Sequence, residues 1–407
     1  MTKIKVENSY IKIEGPVKIE VLEGELKIGG RVFKAKDSYL IPVGKSIVGF
    51  GYCLIEARLG SKANVLLLDK TTIPNDWKVA LSELEKRFDN LSKKTCVVLV
   101  LGAVDTGKTT IISYLSNELL KKGYSVGVVD ADIGQSDIGP PTTIALGLVR
   151  EPFSMLYELK PESMYFVGST SPKSYLLPMI VGTKKMVENA NTDFVLIDTT
   201  GLIQFTGRAL KTYKIEILKP DLIIALQRKD ELEPILKPFE YMNIIRLTVS
   251  EKANKKGIEA RRFLRELSFK KYFEKCKEIF LDLNDLKFLR SYIFTGKEIE
   301  YPNFLYTEKI PEGFVVVSDK YTKRPNTLTI QNGFEKNLLV GLMDLKNRVL
   351  GLGIIEFIDY KNKKIKILSP VEKNQIKIII MGGIKIDKNG KEIEKIKPGT
   401  SRVFQVI

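Results

Sequence analysis

The stretch CVVLVLGAVDTGKTTIISYL, Cys96 to Leu115, decides how this chain folds. It passes from a continuous apolar run through GAVDTGKTT, Gly102 to Thr110, into residues spaced as on a helix. Gly102, Gly107, Lys108 and Thr109 fit the pattern G-x-x-x-x-G-K-[ST]. Glycines at those positions let the backbone curl, so that the amides of Val104, Asp105, Thr106, Gly107, Lys108, Thr109 and Thr110 turn toward one anion at the positive end of the helix. Lys108 is placed to bridge β- and γ-phosphates, and the Thr109 hydroxyl to ligate magnesium. A tight strand-to-helix turn with an incidental lysine is the bland alternative. The strand before and the helix after are the context that phosphate binding requires, and the stretch reads as a nucleoside triphosphate site.

Working outward, the neighbouring segments alternate between buried strands and helices: YSVGVVDAD, SMYFVGS, SYLLPMIVGTKKMVENA, FVLIDTTG, DLIIALQ and NIIRLTV. Apolar strands buried on both faces and joined by helices imply a parallel sheet in an α/β layer fold, in which ligands bind beyond the carboxyl ends of the strands. Three such ends carry polar residues. VGVVDADIGQSDIGPP ends in Asp130 and Asp132, one suited to the neighbourhood of magnesium and the other to facing an incoming hydroxyl, although a capped turn would also use them. FVLIDTTG ends in Asp198, Thr199, Thr200 and Gly201, where an aspartate can reach magnesium or cap a turn. YFVGSTSP ends in Ser169, Thr170 and Ser171, which can hold a phosphodiester or cap the next helix.

Before this layer, residues 1–74 read as short strands broken by glycine-containing turns, a small β-sandwich or barrel. A connecting helix follows, with Asn75 or Asp76 as its N-cap. Residues 75–298 form the phosphate-loop domain, and 299–407 return to strands as a second β domain. The expected architecture is therefore α/β, a P-loop domain with a mainly parallel sheet flanked by small β domains.

Composition narrows the chemistry. The 407 residues include no histidine, so a proton acceptor must be a carboxylate, a lysine or a tyrosine. The three cysteines, Cys53, Cys96 and Cys276, lie far apart, which supports neither a disulfide framework nor a zinc site. No apolar run is long enough to span a bilayer and no signal-peptide core begins the chain, so a cytoplasmic location is expected. A net charge of +16 favours polyanionic partners such as nucleic acid, although a thermophile's charged surface gives similar totals. The segment EKANKKGIEARRFLRELSFKKYFEKCKE concentrates Lys252, Lys255, Lys256, Arg261, Arg262, Arg265, Lys270 and Lys271 on an expected helix pair. It can clamp a triphosphate or track a nucleic-acid backbone, or be a solvated face with Glu259 and Glu266 as partners.

Taken in order, GAVDTGKTT, DADIGQ with the following PP pair, YFVGSTSP, DTTGLIQFTGRALK, LIIALQRKDEL and ARRFLRELSFKKYF resemble the polynucleotide 5′-hydroxyl kinases, the family that includes the kinase subunit of the eukaryotic pre-mRNA cleavage factor, the ribosomal RNA processing kinase and their archaeal relatives. The resemblance implies ATP and Mg2+ as cofactors and single-stranded RNA, or DNA, with a 5′-hydroxyl end as acceptor. It implies that Lys108 and Thr109 serve the triphosphate, that Asp132 activates the hydroxyl with Gln135 beside it, that Thr199, Thr200 and Gly201 clasp the RNA end, and that Arg261, with Arg262 or Arg265, forms a lid. Leu202 stands where relatives often carry a stacking tryptophan, with Phe205 and Tyr213 nearby, and Lys256 stands where relatives have an arginine. The competing readings are a P-loop ATPase with water as acceptor, and an ATP-bound scaffold of an RNA-processing complex. A guanine-reading N-K-x-D motif is absent.

Overall fold

The computed structural model describes residues 1–71, 73–91, 95–250, 257–320 and 324–396. Its N-terminal part is one six-stranded antiparallel sheet of β1 (Thr2–Glu14), β2 (Val17–Ile28), β3 (Arg31–Lys34), β4 (Ser38–Ile41), β5 (Ser46–Leu59) and β6 (Asn64–Leu68). The order is β3-β2-β5-β1-β6, with β4 paired to β2. Alternation drives it: nearly every second residue of β5 is buried, and Val6, Ile11, Ile19, Leu26 and Ile55 fill the core they face.

Helix α1 (Trp77–Asp89) then leads into β7 (Cys96–Gly102), α2 (Lys108–Lys121), β8 (Val126–Ala131), β9 (Thr143–Val149), β10 (Pro161–Phe166), α3 (Leu176–Asn189), β11 (Phe194–Thr199), α4 (Thr206–Leu218), β12 (Leu222–Gln227), α5 (Glu233–Leu236), β13 (Ile244–Thr248) and α6 (Ile258–Phe273). Six of these strands run in the order β9-β8-β11-β7-β12-β13. β8, β11, β7, β12 and β13 are parallel, and every residue of β7 and β11 is buried, as continuous apolar runs require.

The remaining strands are β14 (Lys277–Asp282), β15 (Lys287–Leu289), β16 (Lys297–Glu298), β17 (Tyr306–Ile310), β18 (Gly313–Ser318), β19 (Thr327–Gln331), β20 (Leu338–Met343), β21 (Val349–Asp359), β22 (Lys364–Ser369), β23 (Ile378–Ile386) and β24 (Glu392–Lys395). They make a sheet of order β14-β22-β21-β20-β23-β15, with β24 on β23, and a smaller sheet β16-β17-β18-β19. The chain is thus an α/β P-loop protein carrying two further β regions. By compactness it divides into Met1–Asp132 with Ala145–Glu162 and Thr183–Leu264, and Ile133–Ile144 with Ser163–Gly182 and Arg265–Ile407. Among the described residues, no helix is long and apolar enough to cross a membrane.

Some local details depart from the sequence pattern or add to it. TTIALGLV forms β9, antiparallel to β8, a strand the sequence pattern does not announce. Asp76 precedes α1 without capping it, because its carboxylate accepts hydrogen bonds from the N–H (2.7 Å) and hydroxyl (2.9 Å) of Thr248. Within the basic segment the described residues form one helix, α6, while Lys252, Lys255 and Lys256 lie outside the described residues. Cys53 and Cys96 are buried and Cys276 is partly exposed.

Asn117 on α2 joins the phosphate-loop helix to the N-terminal sheet. Its Nδ2 donates to Phe153 O at 2.9 Å, its Oδ1 accepts from Phe153 N at 3.1 Å, and Gly30 packs against it because a Cβ there would lie 2.3 Å from Cγ. Asn117→Ala leaves both backbone groups of Phe153 without this partner and should cost about 2–4 kcal/mol in chemical denaturation. After β12, Glu233 accepts two hydrogen bonds from Arg246 (2.8 and 2.9 Å) and one from Gln227, which hold its carboxyl down to about 2. A folded pKa below the unfolded value of about 4.3 contributes stability that is complete above that value and is lost as pH falls toward the folded one. Glu233→Gln should therefore flatten the decline of thermal stability between about pH 4 and pH 2.

Candidate active site

At the end of β7 the chain turns too sharply for a side chain. A Cβ on Gly102 would sit 2.4 Å from the Thr106 hydroxyl. Asp105 (φ 56°) and Gly107 (φ 92°) both take the left-handed conformation, and α2 starts at Lys108 with Ile111 N–H bonded to Gly107 O at 2.9 Å. The first-turn amides before Ile111 belong to the group that helix geometry leaves for an anion. Trp77 supports this turn from α1, its ring 3.5 Å from where a Gly107 Cβ would be and its Nε1 donating to Thr248 O at 3.2 Å. Thr106 Oγ1 (3.0 Å) and Lys108 Nζ (2.8 Å) both donate to Ala103 O, so the lysine folds across its own loop. Burial pulls the Lys108 ammonium below its usual range, against the opposing carboxylates of Asp198, Asp132 and Asp105. Val104 stands exposed at the loop's tip, and Thr110, the third residue of α2, is exposed as well.

Parallel register puts Asp198 of β11 directly beside Asp130 of β8. The two residues are 4% and 2% exposed, at the strand ends that flank the loop. Thr109 Oγ1 donates to Asp198 Oδ2 at 2.6 Å, and Asp130 Oδ1 accepts from Asp132 N at 3.1 Å, so Asp130 makes the turn that carries half-buried Asp132 into the loop. Among the described residues no three acidic or cysteine side chains stand close enough to hold an ion. A hydroxyl and a carboxylate in contact fit a magnesium that draws its other ligands from phosphate and water.

The β11 end has a second layer that sequence reasoning missed. Thr199 Oγ1 donates to Val100 O at 2.8 Å, which spends the side chain on the sheet. Thr200 receives Lys211 Nζ on its carbonyl at 2.7 Å. Gly201 packs on the phosphate loop so closely that a Cβ would lie 2.7 Å from Val104 N. Lys211 and Lys214 of α4 are both fully buried, on the inward stripe with Gly207, Leu210, Ile215 and Leu218. Lysines at stripe positions were the available signal, since that stripe is ordinarily apolar. Burial lowers Lys211 well below its usual range and Lys214 to about 7, although Asp132, Asp198 and Asp130 favour the charge on Lys214. Leu202 is half-buried, whereas Phe205 is 88% exposed with φ 47° at the start of α4, and Tyr213 is also exposed.

Of the arginines expected in a lid, Arg261 Nη2 pairs with Asp105 Oδ2 at 2.7 Å. Arg228 supplies a further contact that the sequence did not indicate, Nη2 to Asp105 O at 3.0 Å. Arg265 is engaged with Glu392 at 2.6 Å, and Arg262 is exposed. Ser169 Oγ donates to Ser171 O, Ser171 Oγ accepts from Lys173 N as a cap, and Thr170 is 7% exposed with no hydrogen-bond partner for its hydroxyl among the described residues. Gln135 Nε2 donates to Gly134 O.

Residues 102–275 match the family model of the mRNA cleavage and polyadenylation factor CLP1 P-loop. The polyribonucleotide 5′-hydroxyl-kinase of Pyrococcus furiosus is 40% identical over 341 residues, covering 79% of this chain and 95% of that protein. The protein of the same name from Methanocaldococcus jannaschii is 37% identical over 346 residues, covering 79% of this chain and 94% of that one. In a solved Clp1p–Pcf11p complex, one chain superposes with a TM-score of 0.68 at 15% identity, covering 94% of this chain and 97% of that one, which shows a shared fold. A phosphate loop flanked by carboxylates at the ends of parallel strands, with similarity of this extent, places the chain in the family of polyribonucleotide 5′-hydroxyl-kinases.

Proposed function

We propose that the chain transfers the γ-phosphoryl group of ATP to the 5′-hydroxyl of single-stranded RNA, and of DNA to whatever extent the clasp admits it. The observation that carries this reading is the meeting of Thr109 with Asp198, beside Asp130 in register and Asp132 one turn onward. The first-turn amides of α2 and Lys108 hold the β- and γ-phosphates once the lysine leaves Ala103 O. Thr109 and Asp198, with Asp130 behind them, would hold magnesium, which supplies charge neutralisation at the phosphates. Asp132 accepts the proton of the attacking 5′-oxygen, the new P–O bond forms as the bond to the ADP oxygen breaks, and ADP departs. Arg261 exchanges Asp105 for the transferring group, and Arg265 would have to leave Glu392 to join it. Gln135, Ser169, Thr170, Ser171, Thr200, Gly201 and Arg262 are the proposed RNA contacts, with Thr199 holding the clasp to the sheet. The net charge of +16 supports sequence-independent attraction to the strand.

Labelled ATP and a 5′-hydroxyl oligoribonucleotide test the reading. Asp132→Asn should lower kcat by about 10²–10⁴-fold with nucleotide affinity within a few fold of wild type. Labelling at the wild-type rate would remove the base from Asp132, and phosphate release without labelled RNA would make the chain an ATPase. Arg261→Ala should lower kcat by about 10²-fold or more, and Arg261→Lys, which keeps the charge and loses the planar fork, should restore only part of it.

A further inference from the structure

Lys214 is a buried lysine that the phosphoryl-transfer scheme leaves unused. Its side chain is fully buried on the inward stripe of α4, and its Nζ has no hydrogen-bond partner among the described residues. A core position of this kind is ordinarily apolar, because an ammonium taken from water without a partner costs several kcal/mol. The charges that act in its favour are Asp132, Asp198 and Asp130, the three carboxylates of the strand ends. Three acids in one corner repel one another and repel any polyphosphate. Two other lysines act on the same corner, and each has an assignment. Lys108 belongs to the loop and turns toward phosphate, and Lys211 is tied to the Thr200 carbonyl.

We propose that Lys214 is a resident counter-cation of the acid corner, offsetting Asp130, Asp132 and Asp198 so that a polyphosphate can settle beside them before its own metal neutralises the charge. The inference rests on the assignment of this corner to nucleotide. Lys214 touches no reacting atom and acts through the carboxylates, so its role is one of positioning charge. An apolar replacement leaves the aspartates with less compensation, a deficit felt most by a nucleotide without metal and least by one whose phosphates carry magnesium.

Titration calorimetry of the full chain with a non-hydrolysable ATP analogue, once with EDTA and once with excess Mg2+, measures this difference. For Lys214→Met, metal-free affinity should fall about tenfold, the equivalent of one pKa unit of lost interaction, while the magnesium complex weakens by no more than about twofold. Adding Asp132→Asn to Lys214→Met removes one negative charge and should recover most of the metal-free affinity. Unchanged metal-free affinity, or equal loss in both conditions, overturns the proposal, because a purely structural lysine predicts the second. If Lys214→Met does not fold, Lys214→Gln carries the same comparison, with folding checked by thermal unfolding. Kinase activity persisting in Asp132→Asn would displace the base assignment and leave this binding comparison intact, so the two readings fail separately.

Discussion

Like charges brought abreast by parallel register are the constraint on which this site depends. In-register neighbours on parallel strands project to the same side, so Asp130 and Asp198 meet because β8 and β11 pair residue for residue. That proximity is unfavourable by itself and useful only with compensation. The structure supplies it locally: the Thr109 hydroxyl on Asp198, the Asp132 amide on Asp130, and the buried lysine side chains of Lys108, Lys211 and Lys214. Acids and lysines are thus gathered in one buried corner, where low dielectric strengthens each interaction.

The second constraint is closeness of backbone. Gly102 against Thr106 and Gly201 against Val104 are approaches that no side chain could enter, and together they clamp the phosphate loop between its own strand and the end of β11. Trp77 presses on the loop from α1, and Asn117 ties the helix that follows the loop to the N-terminal sheet through Phe153. The loop's amides can aim at an anion without cost at the moment of binding because their conformation is already held.

Much of this was legible along the chain. The phosphate loop between a buried strand and a helix, and the polar ends of the apolar strands, are local patterns, whereas the return to strands begins with β14 at Lys277, inside the segment read as the phosphate-loop domain. Other features were not legible because they depend on partners far away in sequence. Asp76 had the position of a cap and took Thr248 instead, Thr199 had the look of a ligand and went to Val100, and β9 reads like any apolar run while pairing antiparallel. Lys211 and Lys214 drew no reading along the chain, because which face of their helix turns inward is set by packing.

The chain's order of residues by itself determined the anion-binding loop, because a glycine-rich turn between strand and helix works through backbone geometry encoded within nine residues. It also narrowed any proton acceptor to a carboxylate, a lysine or a tyrosine, since the chain has no histidine. Only the tertiary structure decided which carboxylates stand together and which cations answer them. Strand register and helix facing are set by packing across the whole layer, and a charge's worth depends on burial and on neighbours that spacing along the chain does not reveal.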